Sequence, residues 1–178
     1  MSQLAIDVCQ EGLTESLRKL FEFYSTGDVD VNLLCDESRS VQQECQYEED
    51  VVSSTIELAG ENVRYFICLV STMETARQLC EGGADDAIDW IGELANQLFG
   101  RFKNHLLEYG VNAELGIPIS AEGVQKKCVA CGTGSATLEI NTRAGVVWAI
   151  YKPQVDSTLQ WTRNSDLAAA EEGSIQLF

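Results

Sequence analysis

The feature that most constrains the fold is a pair of β-rich runs, 51–58 and 63–71, separated only by Gly60-Glu61-Asn62. Such a short connection, made of turn-forming residues, predicts a β-hairpin. A second pair of runs, 135–141 and 145–151, has the same pattern around Thr142-Arg143-Ala144. Parallel strands need a long crossover, so strands joined by so few residues run antiparallel. The sequence therefore predicts a largely antiparallel sheet.

Helical patterns precede and follow the first hairpin. Apolar residues recur at helical spacing over 7–24, which predicts an amphipathic helix, and a strand is expected over 29–34. A short helix is expected over 73–80, with Thr72 as its N-cap.

The longest helical pattern lies in the middle of the chain. It runs over 84–109, and Gly110 is expected to end it. Residues 111–119 alternate like a strand but contain Pro118, which predicts an edge strand or a strand end. The order is therefore helix, strands, two helices, strands. This order predicts an α+β fold, and the helix-then-hairpin sequence of both halves indicates a faint internal duplication.

Charge and composition narrow the function classes. The 178 residues include 28 acidic and 12 basic side chains, which gives a formal net charge of −16. This charge repels phosphate backbones and anionic membrane surfaces, so neither nucleic acid nor membrane is an expected partner. Residues 1–7 lack a basic segment, and the apolar run 65–70 is too short to cross a bilayer. We therefore expect a cytoplasmic protein without a signal peptide.

The cysteine pattern indicates reduced thiols rather than a disulfide framework, because the seven cysteines are an odd number scattered through the chain. Cys128 and Cys131 form a CxxC pair. A structural zinc site would need a second ligand pair, and the only histidine, His105, stands alone. A thioredoxin-like site would place the pair between a strand and a helix, whereas a strand pattern follows here. Two thiols in a loop is the preferred interpretation, with redox sensing as the alternative, and no metal site is expected.

The long helix carries two distinct faces. Its apolar residues form one stripe about 100° wide, which we expect to be buried. The stripe consists of Ile88, Ile91, Ala95, Leu98, Phe99, Phe102 and Leu106. Asp89, Glu93 and Asn96 are spaced i, i+4, i+7 and therefore share a different face with Gly100.

Two glycines, Gly92 and Gly100, adjoin this polar row. Glycine inside a helix costs about 0.5–1 kcal/mol relative to alanine. Its usual explanation is the close approach of another backbone, from this chain or from a partner.

A Glu and an Asn alone are not a self-contained hydrolytic set, because neither is an activated nucleophile. An Asn side chain can orient a water molecule, since it donates and accepts hydrogen bonds simultaneously. An exposed Glu can pair with a lysine of a docked protein. The alternative is an ordinary solvated helix face.

The run Asp89-x-x-x-Glu93-x-x-Asn96, followed by Leu115-Gly116-Ile117-Pro118, resembles the signature of the CheX/CheC family of chemotaxis phosphatases. That signature has an Asp or Ser, a Glu and an Asn on one helix, with a Pro further along the chain. The resemblance is closest to CheX, which has one such helix where CheC has two.

In agreement with CheX, the first helix has no second pair. Glu11 is followed at +3 by Thr14, and Glu15 is followed by Arg18. The resemblance implies a CheX/CheC-like fold, with a phosphatase domain over 1–153 and a C-terminal extension over 154–178 of uncertain role, either packed on the domain or tethering a partner.

The resemblance also implies a function: a phosphatase acting on the aspartyl-phosphate of a CheY-like response regulator in two-component signalling. The counterpart of Asn96 positions the attacking water, and that of Glu93 pairs with the regulator's lysine. Asp89, Gly92 and Gly100 are expected on the partner-binding surface, although a solvated Asp89 fits equally well. No cofactor is expected in this chain, and Mg²⁺ is expected in the regulator's site.

The resemblance leaves the choice of partners open. A homodimer joined across a sheet edge and a CheD-like partner are both compatible with it. The alternative function is a catalytically silent module that docks a receiver domain or a CheD-like protein.

Overall fold

The computed structural model describes residues 3–24, 29–35, 49–125 and 135–163. The Cys128–Cys131 pair lies outside these residues. So do residues 36–40, whose polar sequence predicts a loop, and 165–172, whose sequence is compatible with a short helix.

The described chain forms an α+β domain, as the sequence predicts. Its elements in chain order are α1 (Gln3–Tyr24), β1 (Asp30–Cys35), β2 (Glu49–Ala59), β3 (Val63–Thr72), α2 (Met73–Cys80), α3 (Ala84–Leu107), β4 (Glu114–Leu115), β5 (Ile119–Gln125), β6 (Ala136–Thr142) and β7 (Gly145–Val155).

The strands form one seven-stranded sheet in the order β1-β6-β7-β3-β2-β4, and β5 also pairs with β2. Every described strand pair is antiparallel. Both predicted hairpins are present, since β2 pairs with β3 and β6 pairs with β7. The central strands β3 and β7 join the two hairpins.

The strand predicted over 111–119 is present in part. Glu114–Leu115 form a short strand at the end of the strand order, and the longer strand β5 begins at Ile119. Gly116 donates its N–H to Glu57 O at 2.8 Å, which holds the connection between β4 and β5 against β2. Pro118 lies in this connection, directly before β5.

The predicted helix ends are present. The Thr72 side chain accepts a hydrogen bond from Thr75 N at 3.1 Å, as an N-cap does. After α3, Gly110 has φ +73°. Its N–H donates to Leu107 O at 2.9 Å and that of Val111 donates to Leu106 O at 3.1 Å, which is a Schellman arrangement.

The core lies between the three helices and one face of the sheet. In β3 the buried side chains alternate with half-buried or exposed ones, so Tyr65, Ile67 and Leu69 point towards the helices. Helix α3 contacts mainly β2 and also β5, while α1 and α2 pack against α3. None of the described helices is both long enough and apolar enough to cross a membrane.

The residues after Pro153 continue the domain as far as the structure describes them. Strand β7 extends to Val155, and Asp156 donates its N–H to Asn62 O at 2.9 Å. Trp161 packs against the core, and Arg163 pairs with Glu108 at 3.1 Å. The predicted boundary between domain and extension therefore falls inside a strand.

A buried thiol lies at the centre of the α1 interface. Cys9 Sγ is 3.1 Å from Tyr65 Oη, and both side chains are buried. Burial raises the pKa of the Cys9 thiol to about 11, although the hydrogen bond with Tyr65 lowers it slightly. Burial also raises the pKa of Tyr65, with further contributions from Cys9.

This shift makes the fold sensitive to alkaline pH. The thiol ionises near pH 9 when the chain is unfolded and near pH 11 when it is folded. Between these pH values the unfolded chain loses the proton first, so the stabilisation present below pH 9 is lost as the pH rises to 11. In that window the unfolding free energy of the wild type should fall more steeply than that of Cys9→Ser, by up to about 1.4 kcal/mol per pH unit. Urea unfolding at several pH values measures the two slopes, with Cys80→Ser as the control substitution. Equal slopes for wild type and Cys9→Ser would contradict the prediction.

Candidate functional site

The buried face of α3 is wider than the predicted stripe. Six of the seven predicted residues are buried, whereas Ile88 is half-buried. Ala87, Gly92 and Leu94 are buried as well. The reason is that α3 contacts β2 beneath it and is flanked by α1, α2 and β5.

The polar row of α3 lies on a different face from the buried stripe, as its spacing predicts. Asp89 and Glu93 are exposed, and Asn96 is half-buried. The three side chains therefore lie on one accessible helix face, which we call the α3 face. The only histidine, His105, lies far from it near the end of α3, where its Nε2 is 3.2 Å from Val8 O.

Gly92 allows a side chain of β5 to approach α3 closely. A Cβ atom at Gly92 would lie 2.8 Å from Ser120 Oγ on β5. Ser120 in turn donates a hydrogen bond to Ser54 Oγ at 3.2 Å. The approaching group is thus a side chain rather than the expected backbone, and Gly92 is buried rather than part of an open partner surface.

Gly100 does not have this role. A Cβ atom at Gly100 would have no atom of the described chain within 4 Å. The prediction of a close approach from this chain is therefore wrong at Gly100 within the described residues. A partner contact at Gly100 stays a prediction.

Glu93 is connected to α1 through two hydrogen bonds that the sequence prediction missed. Gln97 Nε2 donates to Glu93 Oε1 at 3.0 Å, and Gln97 Oε1 accepts from Tyr24 Oη at 3.4 Å. The Tyr24 ring meets the Trp90 ring edge-on, with centroids 5.7 Å apart. The i,i+4 spacing of Glu93 and Gln97 indicates the first of these hydrogen bonds, but no local sequence pattern indicates the second, with Tyr24.

The surroundings of the α3 face are acidic at its N-terminal end. A shallow depression there is lined by Cys80, Glu81, Gly82, Asp86, Asp89, Trp90 and Glu93. Asp86 is engaged in capping α3, since its Oδ2 accepts a hydrogen bond from Gly83 N at 2.7 Å. Glu81, Asp89 and Glu93 are exposed carboxylates as well, and they suit a cationic group on a partner.

A large apolar side chain is exposed on the α1 side of the α3 face. Phe23 is 82% exposed and contacts Tyr24, with centroids 5.3 Å apart. Ile117 and Ile119 are also exposed, at 86% and 75%. Ile119 pairs with the exposed Thr55, next to the Ser54–Ser120 pair that faces α3, so its side chain lies on the sheet face away from the helices.

The described residues hold no group of three or more His, Cys, Asp or Glu side chains suited to a metal ion. The α3 face therefore provides a hydrogen-bonding amide and outward carboxylates, with Phe23 exposed on its α1 side. These groups can position and bind, but they do not supply a nucleophile or a metal of their own.

The fold is that of CheC-like and CheX chemotaxis proteins. A CheC-like superfamily protein from Shewanella sp. PV-4 superimposes with a TM-score of 0.65 at 16% identity, over 86% of this chain and 99% of that one. The chemotaxis protein CheX from Vibrio vulnificus superimposes with a TM-score of 0.63 at 15% identity, over 81% and 95% of the two chains. A chain of the CheX-CheY-BeF3-Mg+2 complex from Borrelia burgdorferi gives 0.59 at 15% identity, over 84% and 97%. No protein-family model and no curated protein matches the sequence. The CheX/CheC-like fold expected from the signature is confirmed.

The two glycines of α3 should respond oppositely to alanine. Gly100→Ala should raise the unfolding free energy by about 0.5–1 kcal/mol, because the position is open and alanine favours the helix. Gly92→Ala should lower it by about 1–3 kcal/mol, because the added methyl group displaces Ser120 from its bond with Ser54. Urea unfolding measures both changes. Adding Ser120→Ala to Gly92→Ala should recover part of the loss, and a Gly92→Ala variant as stable as Gly100→Ala would contradict this account.

Proposed function

We propose that this protein is a phosphatase that hydrolyses the aspartyl-phosphate of a CheY-like response regulator. The observation that carries the proposal is the placement of Glu93 and Asn96 on an accessible face of α3. The fold supports it, since CheX and CheC-like proteins share this architecture. A protein of that fold has been solved as a CheX-CheY-BeF3-Mg+2 complex, which supports a receiver domain as the partner.

Asn96 orients the attacking water in this mechanism. Its carbonyl oxygen accepts a hydrogen bond from the water while its NH₂ group donates one, so the amide can fix the water's orientation. The water oxygen attacks phosphorus in line with the bond to the aspartyl oxygen, that bond breaks, and its electron pair stays with the regulator's carboxylate. The products are inorganic phosphate and the free aspartate. Holding the water in line is the main task, because phosphoryl transfer depends largely on positioning and charge stabilisation.

Glu93 contributes binding rather than chemistry. Its exposed carboxylate pairs with the ammonium group of a lysine in the regulator's site. The regulator supplies the remaining positive charge, with Mg²⁺ among its own groups. The chain therefore needs no nucleophile and no metal of its own for this reaction.

The surroundings of α3 fit a protein substrate. The exposed Phe23 adds apolar area on the α1 side of the carboxylates, next to Tyr24. A small-molecule substrate would instead need an enclosed pocket, whereas the depression beside Asp89 and Glu93 is shallow and open. A phosphorylated receiver domain is thus the substrate that this surface suits best.

Replacing Asn96 should separate catalysis from docking. With a phosphorylated CheY-like receiver and Mg²⁺, the wild type should accelerate loss of the phosphoryl group, and Asn96→Ala should lose about 10²-fold or more of that acceleration, as enzymes do on losing one preorganised polar group. The affinity for the receiver should change less than threefold. Asn104→Ala, the same substitution two turns later on α3, is the control and should retain activity. A loss of affinity equal to the loss of rate, or no acceleration by the wild type, would favour a catalytically silent docking module.

Reversing the charge of Glu93 should abolish association. Glu93→Lys places an ammonium group against the regulator's lysine, so the affinity measured by titration calorimetry should fall by at least tenfold, the effect of about 1.4 kcal/mol. Glu61→Lys, in the exposed β2–β3 turn, changes the net charge equally and serves as the control. An affinity reduced equally by both variants would show that only overall charge matters, and an unchanged affinity would exclude the lysine pairing.

A further inference from the structure

We propose that Gln97, held by Tyr24, is a positioning residue that keeps the Glu93 carboxylate ready to receive the partner's lysine. The proposal rests on the function proposed above and adds a residue to the same site. It is carried by the two hydrogen bonds that join Tyr24, Gln97 and Glu93.

The Gln97 amide uses both of its ends. Its NH₂ group donates to Glu93 Oε1 at 3.0 Å, and its oxygen accepts from Tyr24 Oη at 3.4 Å. A Gln side chain that bonds at both ends has few alternative rotamers, and Gln97 is half-buried, unlike Glu93. One oxygen of Glu93 is thus held by its own chain, and Oε2 is left for the partner.

Tyr24 is the packed end of the hydrogen-bond series that runs through Gln97 to Glu93. It is the last residue of α1 and is packed against the core as a half-buried side chain. Its ring contacts Trp90 edge-on at 5.7 Å between centroids. Gln97 therefore connects Glu93 to Tyr24 at the end of α1, which lies 69 positions earlier in the chain. The Glu93 carboxylate is thus held by a residue outside its own helix.

The expected consequence is on docking. An exposed Glu loses side-chain entropy when a partner immobilises it, and a carboxylate already held has less to lose. Since Asn96 and not Glu93 orients the water, loss of Gln97 should raise KM and leave kcat unchanged. The immobilisation of one such side chain is expected to change KM by about threefold to tenfold.

A double-mutant cycle tests the coupling. Four proteins are compared: wild type, Gln97→Met, Glu93→Ala and the double variant, each assayed for KM and kcat with the phosphorylated receiver. Methionine preserves the approximate length of the side chain without its hydrogen bonds. Gln97→Met should raise KM about threefold to tenfold when Glu93 is present and change it less than twofold when Glu93 is absent. An equal rise in both backgrounds would overturn the proposal, because Gln97 would then act independently of Glu93.

Two further variants exclude a general structural effect. Gln78 Nε2 donates to Glu74 Oε1 at 2.7 Å on α2, which is the same i,i+4 bond away from the α3 face. Gln78→Met is therefore the matched control and should leave KM unchanged. Tyr24→Phe keeps the ring beside Trp90 but removes the hydroxyl, so it should raise KM in the same direction by a smaller factor. A rise in KM for Gln78→Met as large as that for Gln97→Met would overturn the proposal.

The rotamer distribution of the Glu93 side chain can be measured on the free protein, without any partner. Scalar couplings along the Glu93 side chain, recorded by NMR on the free protein, report whether one rotamer dominates. The wild type should show one dominant rotamer and Gln97→Met an averaged set. Averaging in the wild type would overturn the positioning role even if the phosphatase is active. An ordered Glu93 in a protein that neither binds nor dephosphorylates receivers would instead reject the proposed function and leave the positioning intact.

Discussion

The packing of one face of α3 onto β2 and β5 determines the rest of the site. Ile91, Leu98 and Phe102 are fully buried beneath the helix. A helix has a fixed turn of 100° per residue, so burial of these side chains leaves Glu93 and Asn96 no position except the outer face. The packing of the core therefore sets the positions of Glu93 and Asn96, and a change in that packing would rotate or shift both side chains together.

The charges on α3 matter more to docking than the net charge of −16. Exposed charges separated by more than about 8 Å are largely screened at physiological ionic strength. Of the carboxylates at the start of α3, Asp86 is used in the helix cap, whereas Asp89 and Glu93 face outward. The same class of side chain thus stabilises the helix at one position and is available to a partner at another.

The sequence predicted the parts of this fold that depend on local chemistry, including both hairpins, the Thr72 cap and the glycine at the end of α3. It did not predict β5, because Ala121 and Gly123 have low strand propensity and the segment gains its structure by pairing with β2. It also gave Gly92 and Gly100 the same role, since a glycine carries no information about what approaches it. The structure distinguishes them through Ser120, which lies 28 positions after Gly92 in the chain.

Glu93 and Asn96 lie towards opposite flanks of α3, and this difference suits the roles proposed for them. Asn96 follows Gly92 by one helical turn and so lies towards β5, where the Ser120 contact fixes the distance between strand and helix. It is short and half-buried, so little freedom would be lost in the proposed role of holding a water in line. Glu93 is longer and exposed, which suits the proposed pairing with a lysine, but an exposed side chain of that length is mobile unless something holds it. The bonds through Gln97 to Tyr24 supply that restraint from the α1 flank. The proposed site of two side chains can be specific because Glu93 is held through Gln97 by Tyr24, and the helix that carries Asn96 is packed closely against β5.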